Sequence, residues 1–223
     1  MAEDSSRTVK IWASVVLALA LFVVGAVWAV KSDDTIEPQD ITLPAGSEGH
    51  FKGNAEAKVV LLEYGDFQCS ACASIEPMVQ QIVQEFGSQI KFVYRHFPLR
   101  NIHPNANIAA QASEAAAPQG KFWEMHDMLY ARQDDWDGAS STETIFLDYA
   151  AELGLDIDRF RQDLKSAEVR QTVEEDYQSA VQNGLSSTPT FILNNQVIRP
   201  QSYNDFRELI NNALNPATPD ANQ

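Results

Sequence analysis

Cys69 and Cys72 are the two cysteines of a 223-residue chain, and they stand two residues apart in Cys69-Ser70-Ala71-Cys72. That spacing suits a reversible dithiol–disulfide pair, in which one thiolate attacks a partner's sulfur and the other resolves the mixed disulfide. Two blander uses compete with it. A four-ligand zinc site would have to recruit from His50, His96, His103 and His126, none of which forms a ligand-like pair with another. A purely structural bridge would close so small a loop that it would restrict the unfolded chain very little. Redox exchange is therefore the favoured chemistry.

The elements around the pair strengthen this reading. Lys58 to Tyr64 (KVVLLEY) is a nearly continuous apolar run, the pattern of a central strand covered on both faces. It leads through Gly65-Asp66-Phe67-Gln68 into the cysteine pair. Beyond the pair, Ile75, Met78, Ile82, Val83 and Phe86 recur every three to four residues before Gly87, which predicts an amphipathic helix with a glycine stop. Cys69 thus falls at a helix amino terminus, where unpaired N–H groups and the positive end of the dipole favour a thiolate. It is expected to be an exposed nucleophile of lowered pKa, with Cys72 one turn deeper on the same face.

Further along, Thr190 to Leu193 and Gln196 to Ile198 flank Asn194-Asn195 and predict a hairpin. Thr188-Pro189 opens it, at the strand start where proline is tolerated. With strand, CxxC pair and hairpin in this order, the sequence resembles the thioredoxin superfamily, in particular the DsbA-like thiol–disulfide oxidoreductases exported by bacteria. The resemblance implies that Glu63, six residues before Cys69, is a buried acid beneath Cys72 that accepts the proton Cys72 loses when it attacks. A solvated strand-end glutamate is the alternative. It also implies that Pro77, inside the helix, is architectural, and that the Thr188–Pro189 bond is cis and faces the cysteines, although an X–Pro bond taken alone favours trans. Thr188 would then pair its backbone with an extended substrate chain. The dipeptide Ser70-Ala71 departs from the best-known DsbA pattern by lacking a histidine, which puts the redox poise in doubt.

Between the strand at Ile90 to Leu99 and the hairpin lie the 88 residues Arg100 to Ser187, far more than a plain thioredoxin needs. Their periodicity predicts helices near Asn105–Ala117, Phe122–Arg132, Thr142–Leu153, Asp158–Leu164 and Val169–Asn183, punctuated by Gly120, Gly138, Gly154 and Gly184. The fold class expected is therefore α/β: a thioredoxin fold with a helical insertion between the second core strand and the cis-proline hairpin, preceded by one transmembrane helix. His96, His103 and His126 sit beside aromatic residues or prolines and read as packing or capping groups, and Phe122, Trp123, Met125, Met128 and Leu129 as an apolar helix face.

The transmembrane expectation rests on Ile11 to Val30, twenty residues without a charge, long enough as a helix to span roughly 30 Å. Trp12 and Trp28 lie near its ends, Arg7 and Lys10 precede it, and Lys31, Asp33 and Asp34 follow, which favours the amino terminus inside and the remainder outside. A cleaved signal peptide is the rival, with Val27-Trp28-Ala29 as a tolerable cleavage site, but its apolar core would be unusually long. Residues 1–31 are thus read as cytoplasmic terminus plus anchor, 32–49 as a flexible linker, 50–214 as the DsbA-like domain and 215–223 as a disordered tail. The chain carries 16 basic and 31 acidic side chains, a net charge of −15, of which residues 1–31 hold three basic and two acidic. The remainder is therefore at −16, a poor partner for nucleic acid or an anionic lipid surface.

The expected function is an exported oxidase that exchanges its disulfide with cysteines of substrate proteins, with no cofactor and no metal. The resemblance supplies a membrane redox partner, either a quinone-linked oxidase or, for the reverse flow of a reductase or isomerase, a thiol donor. A tethered peptide-binding, chaperone-like module with an inert bridge is the reading from another class.

Overall fold

A computed structural model describes residues 49–216. The expected anchor at Ile11–Val30, and all but the last residue of the linker, lie outside the described residues, as does the tail from residue 217. Among the described residues no helix is long and apolar enough to cross a membrane.

Five strands form one mixed sheet in the order β1-β3-β2-β4-β5. Their ranges are β1 His50–Gly53, β2 Val59–Gly65, β3 Ile90–His96, β4 Thr190–Leu193 and β5 Gln196–Ile198. β2 and β3 run parallel, joined by helix α1 (Ser70–Phe86), while β1, β4 and β5 pair antiparallel with their neighbours. β2 lies at the centre and reads as an unbroken apolar run because helices cover both its faces. On one face Val59 and Leu61 pack with Val79, Ile82 and Phe86 of α1, and with Phe206 and Ile210 of a C-terminal helix, Tyr203–Leu214. On the other, Leu62 and Tyr64 pack against Ala180. Each such fully buried Leu, Ile or Phe contributes about 1.5–3 kcal/mol.

Between β3 and β4 runs the helical insertion: α2 (Ala106–Ala116), a 3-10 turn Ala117–Gln119, α3 (Phe122–Ala131), α4 (Gln133–Trp136), α5 (Glu143–Glu152), α6 (Ile157–Leu164) and α7 (Ala167–Gln182). The C-terminal helix is α8. Alanines 109, 112, 115 and 116 of α2 let neighbouring helices approach closely, and Met125, Leu129, Trp136, Phe146 and Phe160 fill the space around them. The same cluster reaches Phe67, Cys69 and Cys72, so the insertion's core is continuous with the cysteine pair.

The expected insertion helices match within two residues at each end. The expected hairpin is also present: Asn194 and Asn195 both have positive φ, 47° and 71°, as a two-residue turn of this hand requires. Asn194 ties the turn to β2, its side chain accepting from Val60 N at 2.9 Å and its own N–H donating to Val60 O at 3.0 Å. Besides the short α4 and the 3-10 turn, two elements go beyond the sequence reading. β1 is a four-residue edge strand that pairs with β3, and α8 closes the sheet face. β3 ends at His96 rather than Leu99, because Pro98 cannot donate to a ladder and Phe97 N turns to bond Gly65 O at 2.7 Å.

Candidate active site

Cys69 is the N-cap of α1, with extended backbone (φ −75°, ψ 118°), so the first-turn amides point past it. The turn before it is built on Asp66. Its Oδ1 accepts from Gln68 N at 2.8 Å, and its Oδ2 accepts from Leu99 N at 2.8 Å and lies 2.7 Å from His103 Nδ1. The Asp66 carbonyl accepts from Cys69 N at 3.0 Å. One carboxylate thus pins the β2–α1 turn to the β3–α2 loop. The insertion adds a second clamp: Gln133 Nε2 donates to Phe67 O at 2.6 Å and Cys69 O at 3.2 Å, while the Gln68 side chain bonds Asp137 and Asn105 N. Gly65 makes the approach possible, since a Cβ there would lie 2.6 Å from the Tyr94 hydroxyl and 2.8 Å from that of Tyr130.

Both cysteines are free thiols, and they differ in environment. Cys72 is 1 % exposed and Cys69 is 9 % exposed, so the expectation of a freely exposed Cys69 is corrected: the insertion and the hairpin leave little more than a window on its sulfur. The Cys69 thiol is nevertheless held down to about 5. The largest cause is a hydrogen bond from the Cys72 thiol; against the opposing effect of burial, the Thr188 side chain and the N–H groups of Cys72 and Ala71 add to it. Cys72 is pushed the other way, well above the ordinary thiol range, by burial first, then by the bond it donates to Cys69 and by the charge of Glu63. At neutral pH the reduced pair is one thiolate and one thiol.

Thr188, 119 residues away in sequence, is brought to this sulfur: its carbonyl oxygen lies 3.4 Å from Cys69 Sγ. The Thr188–Pro189 bond is cis. The Thr188 hydroxyl is buried without a formed hydrogen bond, and its dipole favours the thiolate. Glu63, on β2 between Tyr94 and Phe191 in the ladder, is 1 % exposed, and neither of its carboxylate oxygens has a partner. Burial, then the charge of Glu76, pushes its pKa well above the ordinary value. The structure therefore brings Cys69, Cys72, Glu63, Thr188 and Pro189 to one end of β2 and β4, and excludes the solvated reading of Glu63.

A sequence profile described as Thioredoxin matches residues 46–212. The chain belongs to the thioredoxin family. The fold is DsbA-like within it. BdbD from Bacillus subtilis, in its oxidised crystal structure, superposes with a TM-score of 0.69 at 22 % identity, covering 80 % of this chain and 98 % of that one. A thioredoxin-like oxidoreductase from Silicibacter pomeroyi superposes at 0.64 with 25 % identity over 77 % of this chain and 98 % of that one. By sequence, the chain is 42 % identical over 156 residues to a protein named Na(+)/H(+) antiporter NhaA 1 from Salinispora arenicola, covering 70 % of this chain and 23 % of that protein. The chain spans about a quarter of the length of the curated relatives it matches.

The histidines are each engaged with a carboxylate. His96 and His50 share Glu114 Oε1 at 2.8 and 3.0 Å; this holds the Glu114 carboxyl at about 2 despite its burial and fastens β1 to α2. His103 belongs to Asp66, and His126, held by burial at about 4 and so neutral, lies 2.9 Å from Asp127 Oδ1. Glu76, His126 and Asp127 place possible ligand atoms within 4.8 Å of one another, but Lys52 Nζ, 3.6 Å from Asp127, already supplies a cation there. Three site residues escape the sequence reading: Asp66, Gln133 and Glu76. Glu76 had a visible signal, since it sits one helical turn after Cys72; Asp66 and Gln133 act through loop geometry that no spacing announces.

Proposed function

We propose that the chain is an exported thiol–disulfide oxidoreductase that donates the Cys69–Cys72 disulfide to substrate proteins, held at the outer face of a membrane by Ile11–Val30. The observation that carries this reading is the asymmetry of the pair, with Cys69 held at about 5 beside Thr188 and Cys72 kept protonated. A substrate thiolate attacks Cys69 Sγ, the Cys69–Cys72 bond breaks, and Cys72 leaves and takes a proton. A second substrate thiolate then attacks the substrate sulfur of the mixed disulfide and expels Cys69 as a thiolate, a good leaving group because its pKa is low. The substrate dithiol is oxidised and the protein disulfide reduced. Thr188 would align the substrate as an added strand, and a membrane quinone-linked oxidase would restore the disulfide. Electrons would run the other way in a reductase or isomerase fed by a thiol donor. The low pKa of Cys69 favours the oxidase because it stabilises the reduced form.

The test uses the oxidised full-length chain mixed with a reduced, unfolded protein that has two cysteines. The reading expects rapid disulfide formation in the substrate, none with Cys69→Ser, and accumulation of a mixed disulfide at Cys69 with Cys72→Ser. Activity undiminished in Cys69→Ser would overturn it and leave the peptide-binding module. Equilibration with a glutathione buffer decides direction: an easily reduced pair fits the oxidase, and a disulfide that persists fits the reductase.

A further inference from the structure

When a thiolate attacks Cys69 of the disulfide, the electron pair of the Cys69–Cys72 bond goes to Cys72, which is 1 % exposed. An anion created in so dry a place is costly unless hydrogen-bond donors meet it. The backbone of Asp66 offers one. A second source is a pair of tyrosines in the same buried cluster as Cys72: Tyr94 on β3 and Tyr130 on α3, 1 % and 5 % exposed, whose hydroxyl oxygens lie 2.9 Å apart. Among the described residues, each hydroxyl has only the other as its hydrogen-bond partner. Two hydroxyls carry two protons and share one bond, so one buried O–H is left over, and an unused buried donor weakens the fold.

The backbone fixes where that surplus donor sits. Glu63 and Gly65 are two residues apart on β2 and so face the same side of the sheet, the side on which Val59 and Leu61 meet α1. Tyr94 is the ladder neighbour of Glu63 and points the same way. Gly65 leaves room for both hydroxyls, which lie 2.6 and 2.8 Å from where its Cβ would be. The pair therefore stands at the end of β2 from which the chain turns into the cysteines. Burial first, with the charges of Glu63 and Cys72 among the further causes, pushes both phenols well above their ordinary value. At neutral pH they keep their protons and can offer only hydrogen bonds.

We propose that Tyr94 and Tyr130 form a two-hydroxyl donor for the leaving sulfur, in which Tyr130 donates to Tyr94 and Tyr94 turns its remaining O–H to Cys72 as the Cys69–Cys72 bond breaks. The proposal rests on the thiol–disulfide reading above, and it gives the helical insertion a part in the reaction, since Tyr130 belongs to the insertion and Tyr94 to the sheet. The attacking sulfur bonds Cys69, the electron pair of the broken bond stays on Cys72, and the hydrogen bond holds that charge until a proton arrives. No proton leaves either tyrosine. Tyr130 is a positioning residue: it holds and polarises the Tyr94 hydroxyl.

The experiment mixes the oxidised full-length chain with reduced glutathione and reads, by rapid acid quench and mass, the rate at which one glutathione adds to Cys69. Tyr94→Phe is expected to slow the addition about tenfold, less than the roughly 10²–10³-fold of an oxyanion-hole donor because sulfur is the weaker acceptor. Tyr130→Phe slows it about threefold, and the double variant is no slower than Tyr94→Phe alone, since Tyr130 acts through Tyr94. The slowing by Tyr94→Phe persists when Glu63→Gln is added, as a bond to Cys72 requires. In the reduced chain the thiolate absorbance of Cys72 moves to higher pH in both single variants, while the Cys69 midpoint stays near 5. A Tyr94→Phe rate within about twofold of wild type, a double variant slowed by about thirtyfold, or a slowing that vanishes with Glu63→Gln would overturn the donor pair and leave the exchange reaction intact. A wild-type disulfide that takes up no glutathione at Cys69 would overturn both.

Discussion

Two buried carboxylates flank the entry to α1, three residues apart, and they are treated in opposite ways. Asp66, whose side chain is 0 % exposed, accepts from two backbone amides and lies 2.7 Å from His103. Glu63 is equally dry and accepts from nothing. A satisfied buried carboxylate is scaffold: its bonds fix the loops that present Cys69, and its removal strands the donors. An unsatisfied one weakens the fold, and it has a use only where its protonation state must change. The same division separates the insertion side of the cysteine pair, where Gln68, Asn105 and Gln133 are closely bonded, from the α1–β1 side, where Glu63 and Glu76 keep bare oxygens.

Two substitutions sharpen this contrast, because they are expected to move stability in opposite directions. Asp66→Ala leaves the amides of Gln68 and Leu99 and the His103 ring without their acceptor; at about 1–3 kcal/mol per stranded donor it should cost roughly 3–5 kcal/mol in denaturant unfolding. A loss under about 1 kcal/mol would break the comparison on its scaffold side. Glu63→Gln should stabilise the reduced protein at pH 7. The sign follows from the raised pKa: folding holds the proton of Glu63 where the unfolded chain releases it, so wild type is penalised progressively as pH rises above the ordinary value of 4.5. The variant escapes that penalty, and its advantage should vanish in unfolding curves taken near pH 4. A variant less stable than wild type at pH 7 would mean that the Glu63 charge is compensated after all.

How much of this was readable beforehand depends on how local the signal is. β2, the helix start at Cys69 and the Asn194-Asn195 hairpin follow from apolar runs, CxxC spacing and turn chemistry, all within a few residues. β1 was hidden because His50-Phe51-Lys52-Gly53 is short, mixed and held only by its pairing with β3. α8 was legible in principle: Ser202 accepts from Asp205 N as an N-cap, and Phe206 and Ile210 lie on one face. At the site, the cysteines, Thr188-Pro189 and the placement of Glu63 came through pattern and family resemblance. Asp66 and Gln133 did not, since their long-range partners lie 33 to 66 residues away, in loops whose course only the fold determines. The modest exposure of Cys69 was missed for the same reason: a helix terminus is open by default, and only the packing of the insertion and the 3.4 Å approach of Thr188 close it.

The central claim is that one fold splits two chemically identical thiols into an anion and a neutral acid. It is tested most directly by thiolate absorbance of the reduced full-length chain as a function of pH. The account predicts one thiolate appearing with a midpoint near 5, absent in Cys69→Ser, and a second only above the ordinary thiol value of 9.0. Two thiolates titrating together near that ordinary value, or a low-pH midpoint that survives Cys69→Ser and disappears in Cys72→Ser, would contradict it.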